Sequence, residues 1–114
     1  MLDKETREIL EFGFYNELHG DPYCLDIEIH ALEGHKTADI ILNSWELYDE
    51  KKFEVMFKKL VNKFENEYGF NKKEIIIKTA NYYDFKVVYR VKLEKLIELA
   101  GLFKIKGIGN NLLY

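Results

Sequence analysis

Glu28 and His30 stand two residues apart on a stretch, Tyr23 to His30, in which apolar and polar residues alternate. Such alternation marks a strand with one wet face. Tyr23, Leu25, Ile27 and Ile29 take one face; Cys24, Asp26, Glu28 and His30 take the other. A turn at Glu33-Gly34 and a return strand from Thr37 to Asn43 predict that Leu25 faces Leu42, Ile27 faces Ile40 and Ile29 faces Ala38. Glu28 then lies directly opposite Asp39, with Asp26 and His30 on either side. Cross-strand and diagonal neighbours sit about 5–8 Å apart at Cβ. Glu28, His30 and Asp39 could therefore offer oxygen and nitrogen to one divalent cation. Like charges facing each other across a ladder are destabilising, so a cation, a basic protein surface or plain water must compensate them. A solvated acidic face is the commonest outcome, a protein-docking patch the next and a metal site the third.

Nucleophilic chemistry has less to work with. Cys24 is the only cysteine, so an internal disulfide and a C-x-x-C motif are both excluded. Cys24 and His30 share a face but lie about 20 Å apart along a strand, which rules out a local dyad. His19 and His35 fall in turns. Trp45, in Asn43-Ser44-Trp45-Glu46, has no assigned core position; tryptophan is favoured at binding hot spots but is more often a core filler.

The second half carries a different set. A hairpin from Glu74 to Ala80 and Asp84 to Val91, closed by Asn81-Tyr82-Tyr83, predicts Ile77 opposite Val87 and Ile75 opposite Tyr89. Lys78 then faces Lys86 on the outer side, with Arg90 and Lys92 beside them and two tyrosines at the tip. Lysines among aromatics suit a nucleic-acid backbone and its bases, although bidentate phosphate contacts favour arginine. Lys104 and Lys106 extend the set into the tail. There Gly107-Ile108-Gly109 resembles the turn of a helix-hairpin-helix motif, which would imply backbone amides held against a phosphate. Only five residues follow Gly109, too few for the second helix that such a motif needs.

The elements that must position these residues can be read along the chain. Asp3 caps a helix to about Leu10. Phe12, Phe14 and Leu18 read as a strand paired with Ile29, Ile27 and Tyr23 across the turn His19-Gly20-Asp21-Pro22. Phe53, Met56, Phe57, Leu60, Val61, Phe64 and Tyr68 form one stripe at helical spacing, predicting a helix from Asp49 to Tyr68 stopped by Gly69. A short helix from Leu93 to Ala100 ends at Gly101, and the tail adds an edge strand. The expected fold is a single α+β domain over 1–114, in the order α-β-β-β-α-β-β-α, with helices on one face of an antiparallel sheet. The helix-three-strands-helix opening resembles the double-stranded-RNA-binding domain in topology, with Lys51-Lys52 where that family carries basic residues. The sheet before it is acidic, which would repel a phosphate backbone.

Charge is divided unevenly. Residues 1–50 hold 13 Asp/Glu against 3 Lys/Arg, and residues 51–114 hold 7 against 14, so a net −3 conceals halves of −10 and +7. Such asymmetry bears on partners more than on fold. No apolar run is long enough to span a membrane and the charged start does not read as a leader, so a cytoplasmic protein is expected. Fifteen lysines against two arginines reflect an AT-rich genome, such as that of a low-GC bacterium or its phages. No catalytic or cofactor motif stands out.

The leading expectation is a non-enzymatic interaction protein that needs no cofactor. Its acidic face, Asp26, Glu28 and Asp39 flanked by Glu33 and Glu46, would dock on a basic surface of a protein partner, with Trp45 adding affinity. In size, acidity and lack of a catalytic motif the chain is similar to the small anti-CRISPR and other anti-defence inhibitors of phages. The runner-up is a nucleic-acid-binding module using Lys78, Lys86, Arg90, Lys104 and Lys106. A metal-dependent enzyme built on Glu28, His30 and Asp39 is the third reading. The charge split also permits self-association, acidic half to basic half.

Overall fold

The first helix begins where Asp3 places its carboxylate on the Thr6 amide, Oδ1 to N 2.8 Å. Its carbonyl takes the Arg7 amide at 3.0 Å. These contacts satisfy amides that a helix start leaves open, and the Thr6 bonds hold the Asp3 carboxyl below its ordinary value. The computed structural model describes residues 2–18, 25–31, 34–44, 50–78 and 84–107. Helix α1 spans Lys4–Leu18, so the strand expected over Phe12, Phe14 and Leu18 is helical. The reason is periodicity: Leu10, Phe14 and Leu18 recur every fourth residue and all are buried, while Phe12 falls on the outer side, 40% exposed. Without that strand the likeness to the RNA-binding topology also lapses.

Strands β1 (Leu25–Ala31) and β2 (Thr37–Ser44) form the acidic hairpin. Ile27 faces Leu42, Ile29 faces Ile40 and Ala31 faces Ala38, two residues away from the expected register. An even slip keeps every side chain on its face, so the apolar set still points inward while the outer partners change. Helix α2 covers Glu50–Val61 and runs on through a π turn, Asn62–Glu67, in which Lys63 O accepts the Tyr68 amide at 3.0 Å. Gly69 then leaves the helix at φ 68°.

Strands β3 (Asn71–Lys78) and β4 (Asp84–Lys92) close the sheet in the order β1-β2-β4-β3, antiparallel throughout. Their register also differs by two from expectation: Ile75 faces Val87, Ile77 faces Phe85 and Lys78 faces Asp84. Helix α3 runs Leu93–Ile105, past Gly101, and ends where Gly107 adopts φ 84°. Gly101 is exposed on the outer side of that helix and has no cause to stop it. The tail expected as an edge strand lies outside the described residues from Ile108 on.

All three helices pack on one sheet face, and the fold is a single α+β domain. Ile27, Ile29, Ala38, Ile40, Leu42, Phe85, Val87, Tyr89 and Val91 meet Leu10, Phe14, Met56, Leu60, Phe64, Leu96 and Phe103 in one core. Its centre is aromatic. Phe14 stands 5.1 Å from Phe64 and 5.7 Å from Phe103, and Phe64 stands 5.4 Å from Tyr89, in tilted or edge-on geometry. Ion pairs close the same end: Lys63 reaches Glu17 and Glu67 at 3.0 Å each, and Lys106 reaches Glu17 at 3.3 Å. Burial pushes the Glu17 carboxyl up, but its bonds to the two lysines outweigh this and leave it below the ordinary value.

Helices α1 and α3 approach so closely that the Phe103 ring covers Gly13; a Cβ there would lie 2.3 Å from the ring. At Gly101 an added Cβ meets nothing within 4 Å. Gly13→Ala is therefore expected to destabilise the domain by about 1–3 kcal/mol through overpacking. Gly101→Ala should stabilise it by about 0.5–1 kcal/mol through helix propensity. Urea unfolding of both variants checks the opposite signs.

Candidate functional site

With the helices on one side, alternation turns the polar residues of the strands to the other side of the sheet, which no helix or strand among the described residues covers. Its rows run across the strands. Asp26 pairs with Asn43, which pairs with Lys86, which pairs with Ile76; Glu28 pairs with Ile41, which pairs with Val88, which pairs with Glu74; and His30 pairs with Asp39, which pairs with Arg90. The middle is apolar: Val88, although on this outer face, is only 4% exposed, beside half-buried Ile41. Acid lies toward β1 and base toward β4 and β3.

Asp39 does not belong to the acidic side. Its register partner across the β2–β4 ladder is Arg90, which grips it with two bonds, Nε to Oδ1 3.0 Å and Nη2 to Oδ2 3.3 Å. Lys73, on the β3 bulge, adds a third at 3.2 Å. The Arg90 hydrogen bond is the main reason the Asp39 carboxyl sits below its ordinary value. The expected face-to-face contact of Glu28 with Asp39 is corrected by the register: Glu28 faces Ile41, and its oxygen meets His30 Nε2 at 3.0 Å along its own strand. Among the described residues no three His, Cys, Asp or Glu side chains gather as a cation would need.

The acid that remains is a rim joining β1 to α1. Glu11 is the group that reports it. Desolvation raises its carboxyl above the ordinary value, and the charges of Glu28 and Glu8 push the same way, while Arg7 and His30 oppose them. Tyr15 stands among the same groups: its hydroxyl accepts the Ile27 amide at 3.1 Å. Burial raises its phenol, as do Asp26, Glu11 and Glu28, against the Ile27 bond. Asp26 and Glu28 were legible as rim residues, whereas Glu8 and Glu11 were not. Their i, i+3 spacing would have shown them on one helix face had the helix been carried past Leu10.

The residues proposed for nucleic acid do not form one surface. Lys86 and Arg90 lie on this outer face, and Lys78 shares that side of the sheet by register, opposite Asp84 and not Lys86. Lys104 and Lys106 end α3 behind the sheet, 3.9 Å from Glu5 and 3.3 Å from Glu17. Glu33, Trp45, Glu46, Cys24, His19, Tyr82 and Tyr83 lie outside the described residues. Among those described, no helix is long and apolar enough to cross a membrane. No family model, curated protein or solved structure matches the chain.

The two carboxylates lead to opposite pH behaviour. Asp39 is depressed in the fold, so its stabilising effect is present above its ordinary value of 3.8 and is lost as pH falls through the lower folded value. Asp39→Asn should melt below the parent at pH 7 and approach it in acid. Glu11 is raised in the fold, so its ionised form costs stability above its ordinary value of 4.5. Glu11→Gln should raise Tm at pH 7 by no more than about 4 °C, and the gain should vanish below about pH 4. Thermal melts from acid to neutral pH check both signs.

Proposed function

We propose that this protein is a non-enzymatic interaction module that docks its acidic rim on a basic surface of a protein partner. The observation behind this reading is the set of carboxylates where β1 meets α1: Asp26, Glu11 and Glu28 act on Tyr15, and Glu28 and Glu8 act on Glu11, with Arg7 and His30 offsetting them in part. Like charges gathered at a cost to stability are what a binding surface tolerates and a purely structural one avoids. A cationic partner would relieve that cost, and opposite charge would speed encounter and orient the complex. Asp26, Glu28, Glu11 and Glu8 supply the charge in this reading. Asp39 is set aside because Arg90 and Lys73 already occupy it. Half-buried Ile41 offers apolar area beside the rim. A basic surface of this kind is one that otherwise holds nucleic acid, so docking there in the cytoplasm would inhibit the partner, in the manner of phage anti-defence proteins.

The test is affinity capture from nuclease-treated bacterial lysate, using the parent and the variant Glu11→Lys with Glu28→Lys, both first shown folded by their melting curves. The expected outcome is one basic nucleic-acid-binding protein, retained by the parent and displaced by added DNA or RNA. Its affinity for the double variant should be lower by at least about tenfold at low salt. Retention that charge reversal leaves unchanged would overturn the reading, as would capture of nucleic acid alone.

A further inference from the structure

The sheet has two outer edges, and they are finished differently. At the β1 edge Tyr15, from the helix alongside, takes the Ile27 amide that points away from β2. At the other edge no strand among the described residues lies beyond β3, and Asn71 to Ile76 are all exposed, with Ile75 and Ile76 at 40% each. Uncovered edges of this length invite pairing with another strand.

Two hydrogen bonds establish which main-chain groups point off that edge. Phe85 donates its amide to Ser44 Oγ at 2.9 Å, toward β2. In an antiparallel ladder inward and outward residues alternate, so Phe85 and Val87 both turn to β2. Ile77 and Ile75, their partners on β3, then turn their N–H and C=O groups away from β4. The outward Ile27 amide gives the same parity when followed through Leu42 and Val87. The open edge therefore presents Ile75 and Ile77 as donor and acceptor pairs.

We propose that β3 pairs antiparallel with β3 of a second copy of this chain, about a two-fold axis at Ile76. The order Glu74-Ile75-Ile76-Ile77-Lys78 is self-complementary around that residue. In this register Ile76 meets Ile76 of the second copy, Ile75 meets Ile77, and Glu74 meets Lys78 at both ends. The outward groups of Ile75 and Ile77 supply about four main-chain hydrogen bonds. Neighbouring registers of the same parity lose this match. One sets Glu74 against Glu74, and another sets Lys72 against Lys78 and Glu74 against Ile76. A peptide of unrelated sequence would use the edge but not its charge symmetry. The contact is isologous and closes: two four-stranded sheets become one, and the remaining edges are the β1 strands. It lies across the sheet from the acidic rim and does not depend on the docking reading.

Sedimentation velocity of the full chain, from about 10 μM to about 1 mM, tests the pairing. A concentration-dependent monomer–dimer equilibrium is expected. Glu74→Lys should weaken it at least about tenfold, because lysine then meets lysine twice. Glu74→Lys combined with Lys78→Glu should restore it to within about threefold. Amide exchange at Ile75 and Ile77 should slow as concentration rises. Melting curves establish that the variants, altered at an exposed edge, remain folded. A monomer throughout the range overturns the proposal. So does a dimer indifferent to Glu74→Lys, or one that the double variant fails to restore.

Discussion

Because β2 and β4 lie antiparallel at the centre of the sheet, Ile40 stands beside Tyr89 and Leu42 beside Val87. That pairing throws the apolar alternation of both strands onto one face and gives the helices something to cover. It also carries Asp39 to Arg90 on the opposite face, where the two form a forked ion pair. The wet side of the sheet is thereby tied by charge while the dry side is held by rings. Strand β1 then adds to β2 and brings Ile27 and Ile29 into the same core, whereas β3 adds to β4 with Asn71 to Ile76 left exposed.

The helices answer to this arrangement through shape more than through hydrophobicity alone. Helix α1 reaches α3 only because position 13 has no side chain to hold Phe103 away. Phe103 then reaches Phe14, which touches Phe64 on the π turn, which touches Tyr89 on the central strand. The buried Tyr89 hydroxyl donates to Glu65 at 2.8 Å, so the ring stack ends in a polar tie at the protein surface. A chain of contacts thus runs from α3 through α1 and the π turn to the sheet, and each link is a close-packed ring with little room to relax.

Charge is distributed by the same constraint. The acidic half of the chain does not remain a separate surface. Its central member, Asp39, is taken up by the basic half, and Glu17 by Lys63 and Lys106. What stays acidic is the edge farthest from β4, where β1 meets α1 and Lys4, Arg7 and His30 offset the carboxylates only in part. The rim is therefore a product of strand order: had β1 lain beside β4, its carboxylates would have met lysines.

Much of this was legible in the residues themselves. The period-two pattern of Ile27, Ile29, Ile40 and Leu42 announced which faces are dry, and the stripe from Phe53 to Tyr68 announced a helix stopped at Gly69. Phe12 and Phe14 misled, because two apolar residues separated by one polar position fit a strand as well as they fit a helix whose other face is wet. Alternation states which side a residue takes but is silent on its neighbour, since a slip of two leaves every side chain on the same face. Partner and register were decided by packing over the core. For that reason composition and spacing determined the dry face and the presence of carboxylates on the other. Only the folded arrangement decided that Asp39 would be spent on Arg90 and that Glu11 would join Glu28.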